Sequence, residues 1–112
     1  MSDARAAVDR ILSETPEADD VLRAVVALLA GQPGTTYAAI AFVEDGAETV
    51  GPESGVPDPV RRSYRDVVFQ GERVGALWLD GDADPALADH VAAAIATHVL
   101  IGWDTGGAPW VA

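Results

Sequence analysis

The sequence predicts an α+β domain in which helices at both ends of the chain pack against one antiparallel sheet. Near both ends, apolar residues recur at the spacing of an amphipathic helix. Between them, short apolar runs are separated by turn dipeptides at Asp45-Gly46 and Gly71-Glu72, which is the pattern of two β-hairpins. At 112 residues the chain has the length of a single domain, so we expect residues 1–112 to share one core.

The composition excludes several classes of function. The chain carries 18 acidic and 7 basic residues, a net charge of -11, which repels nucleic acid and anionic membrane surfaces as partners. It has no cysteine, which excludes disulfides, thiol catalysis and thiolate metal sites. Its first residues do not have the pattern of a signal peptide, and no apolar run is long enough to span a bilayer, so we expect a cytoplasmic protein.

Two helices are predicted before the sheet. The first covers 3–13 within an N-terminal segment 1–14, and its buried stripe consists of Ala4, Ala7, Val8, Ile11 and Leu12. The second begins at Thr15-Pro16, where threonine can cap the helix and proline fits its first turn. It ends at Gly31.

The first hairpin pairs an apolar strand at 37–44 with a shorter one at 47–51 across Asp45-Gly46. The three prolines of 52–59 then predict an exposed loop without regular structure.

The second hairpin pairs 64–70 with 73–80, and glycine first in Gly71-Glu72 predicts a type II′ turn. The arm 73–80 is apolar on both faces, which is typical of a strand in the middle of a sheet. We therefore expect this hairpin at the centre of the sheet.

A long last helix is predicted from Asp84-Pro85 to Gly102, followed by a tail at 104–112. One stripe of this helix is large and apolar, and a second consists of Ala88, Ala92 and Ala96. The sheet can cover one stripe, and either the first helix or a twofold mate can cover the other. The second alternative predicts a homodimer through the helices.

The stretch from Val67 to Leu79, with its Gly75-Ala-Leu segment, resembles the hairpin of two central strands in GAF domains. The resemblance covers about residues 16–103. It implies a PAS/profilin-like antiparallel sheet, with the N- and C-terminal helices on one face and a small-molecule pocket on the other, roofed by the segment between the hairpins. Here that segment, from Gly51 to Ser63, is short, which predicts a pocket that is shallow, open or absent. Family members that reduce free methionine sulfoxide or attach a bilin use cysteines, so neither activity carries over.

The candidate ligand-binding residues are Tyr37, Arg62, Arg65 and Trp78. Four of the seven arginines lie near the loop and the second hairpin, at positions 61, 62, 65 and 73. They favour either capture of a small carboxylate or phosphate, or ordinary pairing with nearby acids. Trp78 and Tyr37 are expected either to line a pocket or to fill it.

The chain shows no catalytic, metal-binding or cofactor-binding pattern. His98 falls on the apolar stripe of the last helix, either as a proton-handling residue or as a core histidine satisfied by one hydrogen bond, and His90 is expected to be exposed. We therefore predict a non-enzymatic sensory or regulatory module that binds a small ligand or a partner protein. The alternative is a structural dimerisation module with a collapsed pocket.

Overall fold

A computed structural model describes residues 4–44 and 46–102 of the chain. The elements are α1 (Ala4–Glu14), α2 (Ala18–Ala30), β1 (Thr35–Glu44), β2 (Ala47–Gly55), a 3₁₀ turn (Pro59–Arg61), β3 (Arg62–Phe69), β4 (Glu72–Gly81), α3 (Pro85–Ala94) and α4 (Ala96–Gly102). The four strands form one antiparallel sheet in the order β2-β1-β4-β3. The predicted α+β class is confirmed, and the predicted tail at 104–112 lies outside the described residues. Among the described helices, none has the length and apolar character needed to cross a membrane.

The helices cover one face of the sheet, which we call the helix face. Alternate residues of each strand point toward them, and the strand residues in this core are Ala38, Ile40, Phe42, Val67, Leu77 and Leu79. Helix α2 packs on β1 and β2, whereas α3 and α4 contact β3 and β4. Helices on one face, as the resemblance implies, are therefore confirmed.

Helix α1 forms an outer layer against α2 and α3. Its residues Ala4 and Val8 are buried, and so is the alanine stripe of the last two helices. His90 of α3 ties the layers together, because its Nε2 lies 2.9 Å from a carboxylate oxygen of Asp9. His90 is half-buried, with 23 % of its side chain exposed, where full exposure was predicted. Of the two partners expected for the alanine stripe, α1 of the same chain contacts α3, which carries Ala88 and Ala92.

Two helix boundaries differ from the predictions. Helix α2 begins at Ala18 with Glu17 as N-cap, not at Thr15-Pro16, because the Thr15 N–H still donates to the Ile11 carbonyl at the end of α1. The single long C-terminal helix is divided at Ile95, whose backbone leaves the helical region at φ -90° and ψ 0°. The N–H of Ile95 still donates to Val91 and its carbonyl accepts from Val99, so the interruption is local, and neither glycine nor proline marks it.

Strand β2 is longer than predicted, and Pro52 lies inside it. Ala39 pairs with Glu53 and Ala41 with Val50, so Gly51 and Pro52 together oppose one residue of β1 and form a bulge. Because β2 is an edge strand, the missing N–H of proline breaks no bond to a further strand. The prediction of an irregular loop from residue 52 is therefore wrong.

The second hairpin differs from its prediction in two respects. Its turn is centred on Gln70 and Gly71, with φ of 51° and 84°, and Phe69 pairs with Glu72. Positive φ at both central positions defines a type I′ turn, not type II′. Strand β4 is central as predicted, but β3 is an edge strand, because its alternate polar residues give it only one apolar face.

Candidate functional site

The face of the sheet opposite the helices, which we call the open face, has a floor of small side chains. Ala39 and Ala41 of β1 and Ala76 of β4 lie on it, at the centre of the sheet. All three are 0 % exposed, yet none belongs to the core beneath the helices. We infer that the longer side chains around them cover them.

An ion pair between two adjacent strands lies at one end of this floor. Arg62 of β3 stands directly opposite Asp80 of β4. Its Nε and Nη2 donate to the two carboxylate oxygens at 2.7 and 3.0 Å, and Asp80 is 0 % exposed. The same carboxylate accepts the backbone N–H of Asp58 at 2.7 Å, which attaches the segment between the hairpins to the sheet.

These contacts set the protonation of Asp80. Burial opposes its ionisation, but the hydrogen bonds from Arg62 and Asp58 and the positive charge of Arg62 outweigh burial and lower its pKa. In turn, the pKa of Arg62 is raised chiefly by its hydrogen bond to Asp80. The pair therefore stays charged at neutral pH although the carboxylate is buried.

Aromatic rings surround the guanidinium of Arg62. Its Cζ lies 4.8 Å from the ring centroid of Trp78 and 5.4 Å from that of Tyr37, within the range of cation–π contacts. Tyr64 meets Trp78 edge to face, with centroids 5.8 Å apart and ring planes at 81°. Tyr64 is 57 % exposed, so this cluster reaches the solvent.

Carboxylates form the rim of the open face. Tyr37 donates its hydroxyl to Glu53 at 2.6 Å, and Trp78 Nε1 donates to Glu48 at 3.3 Å. Burial and the hydrogen bond to Glu53 raise the pKa of Tyr37, so its hydroxyl remains protonated as a donor.

Arg73 closes the other end of the rim. It lies 3.2 Å from Glu48 and 2.9 Å from Asp66, and its hydrogen bond to Asp66 is the largest cause of its raised pKa. With Glu53 and Asp80 included, four described carboxylates share the open face with the guanidiniums of Arg62 and Arg73.

The structure brings three of the four predicted ligand-binding residues together. Tyr37 and Trp78 each contact Arg62 on the open face. Arg65 instead points to the helix face and pairs with Asp89 of α3 at 2.7 Å. Arg65 is separated from the other three because residues two apart in a strand point to the same face, and Arg65 is two residues from the core residue Val67.

Each arginine of the predicted cluster has a carboxylate partner. Arg61 pairs with Asp82 at 2.7 Å, and the other three pair as described above. Pairing with acids, one of the two expectations for the cluster, is thus observed, but only Arg73 pairs at the surface with the nearby acids that were expected, and the pair of Arg62 with Asp80 is buried.

Sequence reasoning missed the residue on which this site depends. Asp80 ends the apolar run of β4, and a buried carboxylate among apolar neighbours requires a cationic partner. The position of Asp80 at the end of the apolar run that begins at Gly75 could have predicted a buried ion pair, because four arginines lie nearby in the sequence.

The two histidines lie in the helical layer. His98 Nδ1 is buried without a hydrogen-bond partner among the described residues, and burial lowers the pKa of this side chain. The expected single hydrogen bond is therefore not found at Nδ1. In the described part of the chain, no three His, Asp or Glu side chains are grouped so that they could hold a metal ion.

Comparison with known proteins gives structural neighbours. Neither the models of protein families nor the curated proteins match this sequence. The GAF domain of Acinetobacter phosphoenolpyruvate-protein phosphotransferase superposes with a TM-score of 0.74 at 11 % identity, covering 96 % of this chain and 99 % of that one. The fRMsr of Staphylococcus aureus, solved in complex with substrate, superposes with a TM-score of 0.64 at 12 % identity, covering 88 % and 97 %. At this identity the likeness shows the fold alone, and the GAF-like fold is confirmed.

Proposed function

We propose that this protein is a cytoplasmic GAF-like sensory or regulatory module that binds a small ligand or a partner protein on the open face and is not an enzyme. One observation carries the proposal. The open face bears the half-buried Trp78 and the exposed Tyr64 beside a charged rim, and no described helix packs over it. Aromatic side chains beside a few polar groups are the usual lining of a small-molecule site.

A structural neighbour supports a binding role. The fRMsr of Staphylococcus aureus was solved in complex with its substrate. In the present chain the covered helix face offers a filled apolar core, whereas the open face offers hydrogen-bonding groups. The proposed role is non-catalytic because the cysteine chemistry of the two family activities named above has no counterpart here.

A small anion is the ligand class that the arginines favour. Arg73 is the guanidinium best placed to meet it, because its side chain is 38 % exposed and Arg62 is occupied by the buried Asp80. The anion would compete with Glu48 and Asp66 for Arg73. We therefore expect weak binding that salt reduces further.

Titration followed by amide and indole NMR signals tests the proposal. Small carboxylates and inorganic phosphate, with small organic cations in parallel, should shift the signals of Tyr64, Arg73 and Trp78. The Arg73→Ala variant should weaken anion binding about tenfold, equivalent to 1.4 kcal/mol. Arg65→Ala is the matched control, because Arg65 lies on the helix face. No shifts at millimolar concentrations, or shifts confined to the helical layer, would contradict the proposal.

A second candidate is the structural dimerisation module with a collapsed pocket. It is favoured by the complete burial of the alanine floor under the protein's own side chains. Dimerisation through the helices draws less support, because α1 of the same chain already packs against α3. A monomer that fails to bind any tested ligand would contradict both candidates.

A further inference from the structure

Two carboxylates of the open face are each held by donors of the same chain, but they differ in how firmly they are held. Asp80 is 0 % exposed and accepts from Arg62 at 2.7 and 3.0 Å and from the Asp58 N–H at 2.7 Å. The side chain of Glu48 is 36 % exposed, and it meets its two partners at 3.2 and 3.3 Å. Glu48 is therefore the carboxylate that a ligand from solution can replace.

The two partners of Glu48 both belong to β4. Trp78 Nε1 donates to Oε1 of Glu48 at 3.3 Å, and Arg73 Nη2 lies 3.2 Å from Oε2 of the same carboxylate. Glu48 reaches them from β2, on the other side of β1 in the sheet. The three side chains therefore meet above β1, where one planar carboxylate bridges an indole N–H and a guanidinium.

These two donors form a site for a carboxylate. An indole N–H can only donate, and a guanidinium carries N–H donors and no acceptor, so neither group can satisfy the other. A planar group with two acceptor oxygens satisfies both at once, and its hydrogen bond with the guanidinium is charge-assisted. Glu48 shows that the two donors accept this geometry, because its own carboxylate has it.

The surroundings of Glu48 make its departure inexpensive. It lies on the edge strand β2, among the exposed residues 46–50, so its charge returns to water when the side chain leaves. Arg73 keeps its second partner, because Asp66 remains 2.9 Å from its Nε. No buried charge loses its partner in this exchange, whereas the release of Asp80 would leave one.

We propose that Glu48 is an internal competitor for a carboxylate-binding site formed by Trp78 Nε1 and Arg73, and that a ligand carboxylate binds there by displacing the Glu48 side chain. This inference rests on the ligand-binding function proposed above. It narrows the anion to a carboxylate and adds the indole N–H as a second donor. Because the competitor is tethered to the site, a ligand must gain further contacts on the open face to displace it at low concentration.

Titration of the Glu48→Ala variant with acetate tests the proposal. Without the competitor, the dissociation constant for acetate should fall about tenfold relative to the wild type, because one surface ion pair and one hydrogen bond no longer oppose binding. The Trp78 indole N–H loses its acceptor in this variant and gains a new one from acetate. Its proton NMR signal should therefore return toward the wild-type position as acetate is added.

Asp66→Asn is the matched control. It removes the same charge from the same guanidinium and leaves the hydrogen bond between Glu48 and Trp78 in place. The gain in acetate affinity should therefore stay below about threefold. Acetamide, the neutral analogue of acetate, should gain nothing in either variant. Equal gains in the two variants, or equal gains for acetate and acetamide, would overturn the proposal.

A second substitution isolates the indole donor. Trp78→Phe, made in the Glu48→Ala background, keeps an aromatic ring at this position but removes the N–H. It should abolish most of the gain in acetate affinity, measured by calorimetry. A gain that persists in the double variant would assign the anion to Arg73 alone and would contradict the two-donor site.

The possible results separate this inference from the function on which it rests. If the wild type and Glu48→Ala bind acetate equally, Glu48 is no competitor, while anion binding on the open face stands. If Glu48→Ala binds acetate and the wild type does not, the competitor is confirmed, and binding of small anions by the wild type is ruled out. If neither protein binds acetate, both proposals are wrong.

Discussion

The two faces of the sheet are built from the same strands but are stabilised in different ways. Toward the helices, β1 and β4 contribute large apolar side chains that pack with α2, α3 and α4. On the open face, the same strands contribute alanines, Trp78 and the buried Asp80, beneath a network of hydrogen bonds and ion pairs. Burial on both faces of a strand therefore does not require an element on each side, because long side chains can cover short ones.

The largest expected effect is at the ion pair of the open face. Asp80→Asn removes the buried charge that neutralises Arg62. Because breaking a buried pair leaves the other charge uncompensated, the free energy of unfolding should fall by on the order of 3 kcal/mol. Urea denaturation at pH 7 measures it. Asp82→Asn is the matched control, since its pair with Arg61 is exposed, and it should leave the urea midpoint unchanged.

The contribution of Asp80 to the free energy of unfolding should also depend on pH. Because its folded pKa is lowered, its stabilisation is present above the unfolded value near 3.9 and is lost as pH falls through the folded value. Asp80→Asn should therefore lose less stability than the wild type between pH 5 and 3. Equal acid sensitivity of the two proteins would show that the pair contributes nothing.

The same substitution at two adjacent valines compares the helix face of the sheet with its open face. Val67 is fully buried on the helix face, whereas Val68 is 48 % exposed on the open face. Val67→Ala should cost about 2 kcal/mol, because it removes two buried carbons and leaves a cavity. Val68→Ala should change the free energy of unfolding by less than about 0.5 kcal/mol. Similar losses in dilute solution would mean that β3 has no distinct buried face.

The rim of the open face should contribute less. Tyr37→Phe removes the hydroxyl that donates to Glu53, and loss of one hydrogen bond should cost about 1 kcal/mol. Tyr64→Phe removes an exposed hydroxyl and serves as the control in thermal unfolding. A larger loss in the control than in Tyr37→Phe would contradict the described rim.

The smallest effect is expected in the helical layer. Burial lowers the pKa of His98, so the unfolded chain takes up a proton first and stability falls as pH drops below about 6.5. His98→Leu should flatten the pH dependence of the unfolding midpoints measured between pH 7.5 and 5.5. A slope that persists in His98→Leu would assign the pH dependence to other groups.

The sequence predicts the periodic parts of this fold well. The helical stripes, the apolar strand β1 and the two-sided strand β4 each follow from a local pattern. The GAF-like arrangement was implied by the resemblance of the stretch from Val67 to Leu79 to a family hairpin, and the fold confirms it. The predictions of strand and turn boundaries are wrong where a single residue changes the local backbone geometry. Pro52 is accommodated by a bulge that depends on the partner strand, and the turn moves to Gln70-Gly71 because the pairing of Phe69 with Glu72 fixes it.

The candidate site was only partly predictable for a related reason. Strand alternation was sufficient to place Trp78 on the face away from the leucines, and the structure adds Tyr37 and Arg62 to it. The partners of the arginines come from distant parts of the chain, such as Asp89 of α3 for Arg65. Choosing among 18 acids requires the tertiary arrangement, which no local pattern supplies.

The connection between the hairpins crosses the sheet from one outermost strand to the other in a few residues. It is fastened at each strand it passes: Val56 N–H bonds the Thr36 carbonyl of β1, and Asp58 N–H bonds Asp80 of β4. These two bonds hold the short connection close to the sheet. Its length therefore determines how accessible the sheet surface beneath it is, more than the identity of its side chains does. Lengthening the crossing by a few residues is thus the simplest route from a filled surface to a cavity.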